Sequence, residues 1–507
     1  MRYYINGLFL SVCLALTSCT NLDEDPISVL SPEGFFSTTN DVEAVISGAY
    51  AKLTGERAWS GELVQGLMVM SDMCGPGSPS VIAANLEIDD FTNLGPNNLF
   101  STRTWNRCYE VISPANTAIQ AARQIDANES IKLALEAEAR ALRAFAYFAL
   151  VRSFGDAPYF EDPITDPSIA IDVKKTPEAE IYTKIIEDLD FALVEGRLPN
   201  SYGGPRNRIT RGAVATILAD VHLTLENWQA AYDNAKWVID NKGIFNYGLE
   251  ADYQDLYDVS KQDNTIEHIF NLDLVAEIRF GGTNNDNLST LTGVAGAPGD
   301  SGGWGVVVPS MAVYEDWDDN DYRKSVAFDT FYIDNDGNRI DFTEFPISQR
   351  PHIAKYNRLI GFAQSGGGRN SNYNYPLYRY AEVLLIAAEA LNELSGPNDE
   401  ARSYVNEVRA RARNGASGSS PSTFPEDVAI GLSQNVFRDL VLEERRLELS
   451  FEFKRWYDIK RRHMGNIAFG PNSLEPHPGF NESIHYVLPI PQNEIDVNPN
   501  ITQNSGY

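Results

Sequence analysis

The chain has 507 residues, with 41 lysines and arginines against 70 acids and a formal net charge of −29. A surface this acidic repels polyanions, which argues against nucleic acid and favours neutral over highly sulfated glycans as partners. Four cysteines in this length make no disulfide framework, and after the first residues no apolar run approaches the roughly 20 residues a membrane-spanning helix needs.

The N-terminus is the first readable element. Leu8 to Leu16 form a short apolar stretch behind Arg2, which reads as a secretory signal rather than a span. It ends in Leu16-Thr17-Ser18-Cys19, which resembles the bacterial lipobox. On that reading residues 1–18 are removed and Cys19 is acylated, and residues 19–30, with Asp23, Glu24 and Asp25, form an acidic tether. Acyl chains contribute about 0.8 kcal/mol per buried methylene, so the lipid alone can hold the protein on a membrane. An ordinary signal peptide with an incidental cysteine is the competing reading. Cys13 leaves with the signal, so Cys74 and Cys108 are the cysteines that could pair.

Residues 31–507 read as a single, mainly α domain without a low-complexity linker. Ser31-Pro32 predicts a helix start. Asn40 with Glu43 predicts the cap of a helix carrying Val42, Val45, Ile46 and Tyr50. Glu136 to Phe154 presents Leu142, Phe145, Ala146 and Ala149 on one face and stops at Gly155, and Thr176-Pro177 opens a helix through Leu193. Arg211 to Lys242 splits near Asn227 into two amphipathic helices that resemble a tetratricopeptide-type hairpin. A similar pair spans Tyr378 to Ala412, broken at Gly396-Pro397. The tetratricopeptide-like pairs thus fall within about 130–255 and 375–415, although generic helix pairing would give the same pattern. Between them, about 264–370, glycine- and asparagine-rich runs alternate with short β-like pieces such as Val306 to Val308 and Phe328 to Ile333. Such insertions on a rigid scaffold are where binding loops usually sit.

Several stretches together resemble one family. EAEARALRAFAYFALVRSFGDAPYF at 136–160 is similar to the signature helix of SusD/RagB nutrient-uptake lipoproteins. So are NDVEAVISGAY, WNRCYEVISPANTAI, YPLYRYAEVLLIAAEALNE, EERRLELSFEFKRWYDIKR and the tail YVLPIPQNEIDVNPNITQNSGY, in family order across nearly the whole mature chain. The resemblance implies a SusD-like fold with four tetratricopeptide-like helix pairs and a loop-rich variable half. It also implies a non-enzymatic role without a cofactor: a surface-facing, lipid-anchored outer-membrane protein that captures oligosaccharide or polysaccharide for a SusC-like TonB-dependent transporter. The acids behind Cys19 are similar to the surface-export signal of Bacteroidetes lipoproteins. A RagB-like peptide carrier and a scaffold that binds only its transporter are the alternatives.

A sugar-binding surface needs flat rings for pyranose C–H faces and polar groups for hydroxyls. Trp105, Trp228, Trp237, Trp317 and Trp456 lie in predicted helices or family motifs and read as core. Trp304, in SGGWGVV, and Trp59, in GERAWSGE, lack a helical face to join. Trp304 is the first candidate platform, because glycine neighbours would let a ligand approach closely; Asn284, Asn285, Asn287 and Asp300 are its candidate polar partners. Tyr373, Tyr375 and Phe100 are further candidates, and each of these rings could instead plug a gap between loops.

Gly299 to Gly303 spell GDSGG, a protease string, but only His222 and His268 precede Ser301 and neither sits in a protease histidine motif. No segment singles out a pair of glycosidase carboxylates, and there is no HExxH, P-loop or paired CxxC. Asp316, Asp318, Asp319 and Asp321 could hold calcium, as could Asp334, Asp336 and Asn338. In the second set Arg339 stands where an EF-hand needs glycine, so a DG hairpin turn is the preferred reading and no metal is assigned.

Overall fold

The computed structural model describes residues 36–55, 57–77, 83–274, 287–298, 302–359, 371–414 and 423–507. Cys19, the Ser31-Pro32 helix start, Asn284, Asn285, Asp300 and Ser301 lie outside the described residues. The longer helices are α1 (Thr39–Ala51), α2 (Leu99–Gln124), α3 (Glu129–Phe154), α4 (Glu178–Leu193), α5 (Arg211–Thr224), α6 (Trp228–Asp240), α7 (Tyr380–Ser395), α8 (Asp399–Ala412) and α9 (Gln434–Glu448). Each packs on its neighbour in a continuous array from α2 through α7, with α8 and α9 both lying on α7. The array therefore begins at Leu99, upstream of the first pair that sequence periodicity picks out. The break at Asn227 and the stops at Gly155 and Gly396 fall where expected; both glycines have positive φ, +68° and +80°, which a side chain would strain.

Local chemistry corrects two boundaries. The first helix is capped by Thr38, not Asn40: the Asp41 N–H donates to Thr38 Oγ1 at 3.3 Å and Thr38 N–H to Asp41 Oδ2 at 2.8 Å. Tyr378 and Arg379 belong to a strand, so the second predicted hairpin begins at Tyr380.

Helix α3 is the axis of the array. From Leu135 to Phe154 every side chain but Arg140 is buried, because the alanines at 137, 139, 141, 144, 146 and 149 let helices approach on several sides. Its buried charges are paired. Glu138 accepts from the Tyr50 hydroxyl at 2.8 Å and from Arg208 Nε at 2.8 Å, and Arg143 binds Asp188 through Nε and Nη2, both at 2.8 Å. Cys108, on α2, and Cys74 are both buried free thiols, so the possible disulfide is not formed.

The strands are short and pair two by two: β1 (Cys74–Pro76) with β5 (Val307–Pro309), β2 (His268–Leu272) with β10 (Tyr375–Arg379), β3 (Val294–Ala295) with β4 (Gly302–Gly303), β6 (Phe328–Asp329) with β9 (His352–Ile353), and β7 (Phe331–Ile333) with β8 (Arg339–Asp341). The expected strand over Phe328 to Ile333 is thus two strands with different partners. The DG sequence forms the β7–β8 turn, with Gly337 at φ +86° and the Asp334 carboxylate accepting from the Asp336 and Asn338 N–H groups at 2.9 and 2.8 Å. Asp316, Asp319 and Asp321 are held by Arg446, Lys324 and Arg323, and Asp318 accepts from Asn320 N–H. Among the described residues no cluster of three or more metal-ligating side chains forms.

Where the strands meet the helices, a buried ion network joins segments distant in sequence. Arg379 reaches Glu267 at 2.8 Å, Glu448 at 2.5 Å and Glu452 at 2.8 Å. Arg411 bridges Glu267 and Glu448, and Arg323 adds Asp321, Glu444 and Glu448 at 2.8, 2.6 and 3.2 Å. Lys355 donates to Glu452 and to the Tyr253 hydroxyl, both at 2.8 Å. Burial alone would raise the glutamates, but the adjacent cations hold Glu448 and Glu452 below the ordinary carboxylate range. Removing one charge from such a set leaves the others buried and unpaired, at about 3–5 kcal/mol. Glu448→Gln is therefore expected to lower the thermal midpoint sharply or to abolish folding. Asp240→Asn, which breaks a solvent-exposed bridge to Lys236, should cost under about 1 kcal/mol. Equal effects in thermal unfolding would contradict this account of the core.

Candidate functional site

Trp304 follows β4 and is fixed through its backbone. Its N–H donates to the Thr290 carbonyl at 2.7 Å, Gly305 N–H to Gly293 O at 2.9 Å and Val306 N–H to Leu291 O at 2.8 Å. The indole is half-buried, packed against the core on one side. The flanking glycines serve the fold rather than ligand approach. A Cβ on Gly303 would lie 2.5 Å from Gly293 Cα, and one on Gly305 would lie 2.9 Å from the His352 ring.

The other candidate rings turn inward. Trp59 is 2% exposed, Phe100 5%, and Tyr373 and Tyr375 1% each. Trp59 packs on Phe145 with centroids 5.5 Å apart, Tyr373 and Tyr375 pack on Tyr356 at 5.8 and 5.1 Å, and Phe100 presses on Gly66. Asn287 is enclosed and its N–H donates to Ser60 O at 3.2 Å. Phe100 lies in the first turn of α2 and Tyr375 opens β10, while Trp59, Tyr373 and Asn287 lie in irregular chain beside the helices, so in each case the burial depends on packing from segments distant in sequence. Of the rings expected in the core, Trp105, Trp317 and Trp456 are buried; Trp228 and Trp237 are half-buried, beneath Arg462 at 5.3 Å and Arg211 at 5.0 Å.

Polar groups that sequence reasoning missed gather beside the Trp304 strand. Gly77 N–H donates to Val306 O at 3.1 Å, which brings the end of β1 alongside. There Arg350 Nη2 donates to Pro76 O at 2.5 Å, and the carboxylates of Asp89 and Glu475 lie against Gly75. Burial, together with Glu475 and Asp90, pushes the Asp89 pKa up to about 7, and Arg350 pulls the other way. Burial also depresses Arg350 and raises the Cys74 thiol. Arg350 can donate to hydroxyls while Asp89 and Glu475 accept from them, at the end of β1 that pairs with the residues just after Trp304. Positions 76, 89, 350 and 475 come from four separate segments, so no spacing could have joined them.

Two other features bear on the reading. A broad, mostly apolar groove of about 870 Å³ lies between α1, α2 and the C-terminal segment, lined by Val45, Tyr109, Phe160, Ile171 and Val497. Of the histidines upstream of Ser301, His268 is enclosed in β2 and depressed by burial to about 3, and His222 lies on α5.

A curated relative, SusD-like protein P2 of Formosa agariphila, is 41% identical over 98% of this chain and 99% of its own length. The chain belongs to the SusD family. The SusD family model itself matches residues 349–507, and a second, described as starch-binding associating with outer membrane, matches 22–223. Among solved structures, a SusD homologue from Bacteroides thetaiotaomicron superposes with a TM-score of 0.79 at 23% identity, covering 94% of this chain and 98% of that one. A laminarin-binding SusD-like protein gives 0.76 at 24%, covering 93% and 100%. The mainly helical SusD-like fold is thus common to this chain and both solved structures.

The Asp89 environment makes a pH prediction. With a folded pKa near 7 against 3.8, the native state keeps a proton that the unfolded chain releases, so this group's contribution to stability falls as pH rises between those values. Asp89→Asn should raise the thermal midpoint above that of the parent by about 2 °C at pH 8 and change it little at pH 4. A difference independent of pH would show that Asp89 is not desolvated.

Proposed function

We propose that the protein is a lipid-anchored outer-membrane protein, facing the cell surface, that captures neutral oligosaccharide or polysaccharide and passes it to a SusC-like TonB-dependent transporter. One observation carries the binding half of this reading: on a SusD-family scaffold, a half-buried tryptophan stands on a backbone pinned at three successive residues, and the chain just after it pairs with the end of β1, where Arg350, Asp89 and Glu475 gather. A pinned ring loses little conformational freedom on binding, so apolar contact with a sugar face is retained as affinity. The two carboxylates disfavour uronates and sulfated sugars, as does the net charge of −29. Binding and release, rather than bond cleavage, is the chemistry such a surface supports.

The delivery half rests on the lipobox at Cys19 and on the outer-membrane association in the matched family description. Affinity electrophoresis of the mature protein in gels containing laminarin, soluble starch or other neutral polysaccharides tests the binding. Retardation by at least one is expected, and Trp304→Ala should weaken it at least tenfold, about 1.4 kcal/mol, with the thermal midpoint nearly unchanged. Retention of oligopeptides with no polysaccharide bound would overturn the sugar reading in favour of a peptide carrier. Cys19→Ala should move the protein out of the outer-membrane fraction; unchanged surface display would refute the anchor.

A further inference from the structure

A second concave surface lies on the same flank as Trp304 but outside the site described above. The β7–β8 hairpin stands over the helices at Met311–Asp316 and Tyr322–Ala327, enclosing a groove of about 720 Å³ whose lining includes Tyr314, Phe331, Asp329 and Thr330. This volume is within the range of small-ligand pockets. Phe331 is 41% exposed, on the outward face of a strand whose other face buries Tyr332, as alternation along a strand requires. Arg339 lies 3.7 Å from the Phe331 centroid and orients the ring, and the tight turn at Gly337 holds the strand beneath it.

The polar lining is shaped for hydroxyl groups. Arg358 donates to Asp329 through Nε at 3.0 Å and Nη2 at 2.8 Å, and both bonds fall on one oxygen, Oδ1. The second oxygen, Oδ2, receives no hydrogen bond from any described residue, and the Thr330 hydroxyl is likewise unengaged. A fixed carboxylate oxygen and a rotatable hydroxyl can accept O–H donors beside the Phe331 ring, one face of which is covered by Arg339 while the rest of its surface is exposed. Negative charge dominates the chain, so an anionic ligand is disfavoured here as at Trp304.

We propose that this groove is a second glycan-contact site, in which Phe331 stacks on a sugar ring and Asp329 Oδ2 and the Thr330 hydroxyl bind its hydroxyls. The proposal rests on the glycan-binding reading above and adds a second point of attachment to it. The two surfaces are tied together. Tyr332 packs on Phe345 at 5.5 Å, Phe345 on His352 at 5.5 Å, and His352 lies against Gly305, next to Trp304. Tyr332 and Phe345 also share a small apolar cluster with Val294 of β3, which pairs with the strand that precedes Trp304. A polymer long enough to touch both surfaces gains from effective concentration, whereas a short oligosaccharide occupies one at a time.

The test compares chain lengths. The parent, Trp304→Ala, Phe331→Ala and Thr330→Val are titrated with laminarin and soluble starch and with laminaritriose and maltotriose. Phe331→Ala should weaken binding of the retained polymer about tenfold while changing trisaccharide affinity less than about twofold, and Thr330→Val should weaken polymer binding in the same direction. Thermal midpoints should stay near the parent's, since the Phe331 ring is already exposed. Parent-like polymer binding by both hairpin variants, alongside loss in Trp304→Ala, would refute the second site and leave the first intact. Failure of the parent itself to bind any of the four probes would overturn the glycan reading and this inference with it.

Discussion

The structure depends on the burial of a set of opposed charges at the junction of helices and strands. Glu448 alone touches Arg323, Arg379 and Arg411, which come from the segment before β6, from β10 and from α8. Transferring these groups from water is costly, and their mutual attraction offsets the cost only when all are present in the right geometry. The network is therefore a condition on assembly. A chain that misplaces the 321–323 turn or the β2–β10 ribbon leaves an uncompensated charge inside. This explains the density of charge in EERRLELSFEF, where acids and arginines occupy positions that helical periodicity would otherwise give to aliphatic residues.

Around that junction the helical array supplies rigidity, and the loop-rich part carries the short strands and the irregular chain around Trp304. Alanines along α3 allow close packing on several sides, so the array resists deformation. The strands of the loop-rich part are short ribbons of two to five residues, too small to be stable alone, and each is fixed by packing against helices or against another loop. Trp304 illustrates the arrangement: its position is set by the carbonyls of Thr290 and Leu291, in the short helix Leu288–Thr292, and of Gly293 just after it, not by side chains on one of the long helices.

Most of the helices were legible in the sequence because apolar spacing and cap residues are local signals. Gly155, Asn227 and Gly396 end or separate helices for reasons visible in a few neighbouring residues. The Thr38 cap was missed by two positions because Thr38 and Asn40 both offer a side-chain oxygen, and only the direction of the incoming chain selects between them. The site was legible only in part. Elimination among the tryptophans leaves Trp304 and Trp59 alike, and Phe100, Tyr373 and Tyr375 sit in loop-like sequence; of these rings Trp304 is half-buried and the other four are core. A ring in an irregular segment has the same local sequence whether it faces water or the interior; the difference lies in what folds over it.

By itself, then, the amino-acid order determined the helical class, the acidic composition and the family, since each is written in contiguous residues or in composition. Only the tertiary structure decided which rings remain exposed, that Cys74 and Cys108 stay apart as thiols, and that Asp89, Arg350 and Glu475 converge at the end of β1. The physical reason is range. Caps and periodicity act over a few residues, whereas burial and electrostatic proximity act between groups that the chain separates by hundreds and that only packing brings together.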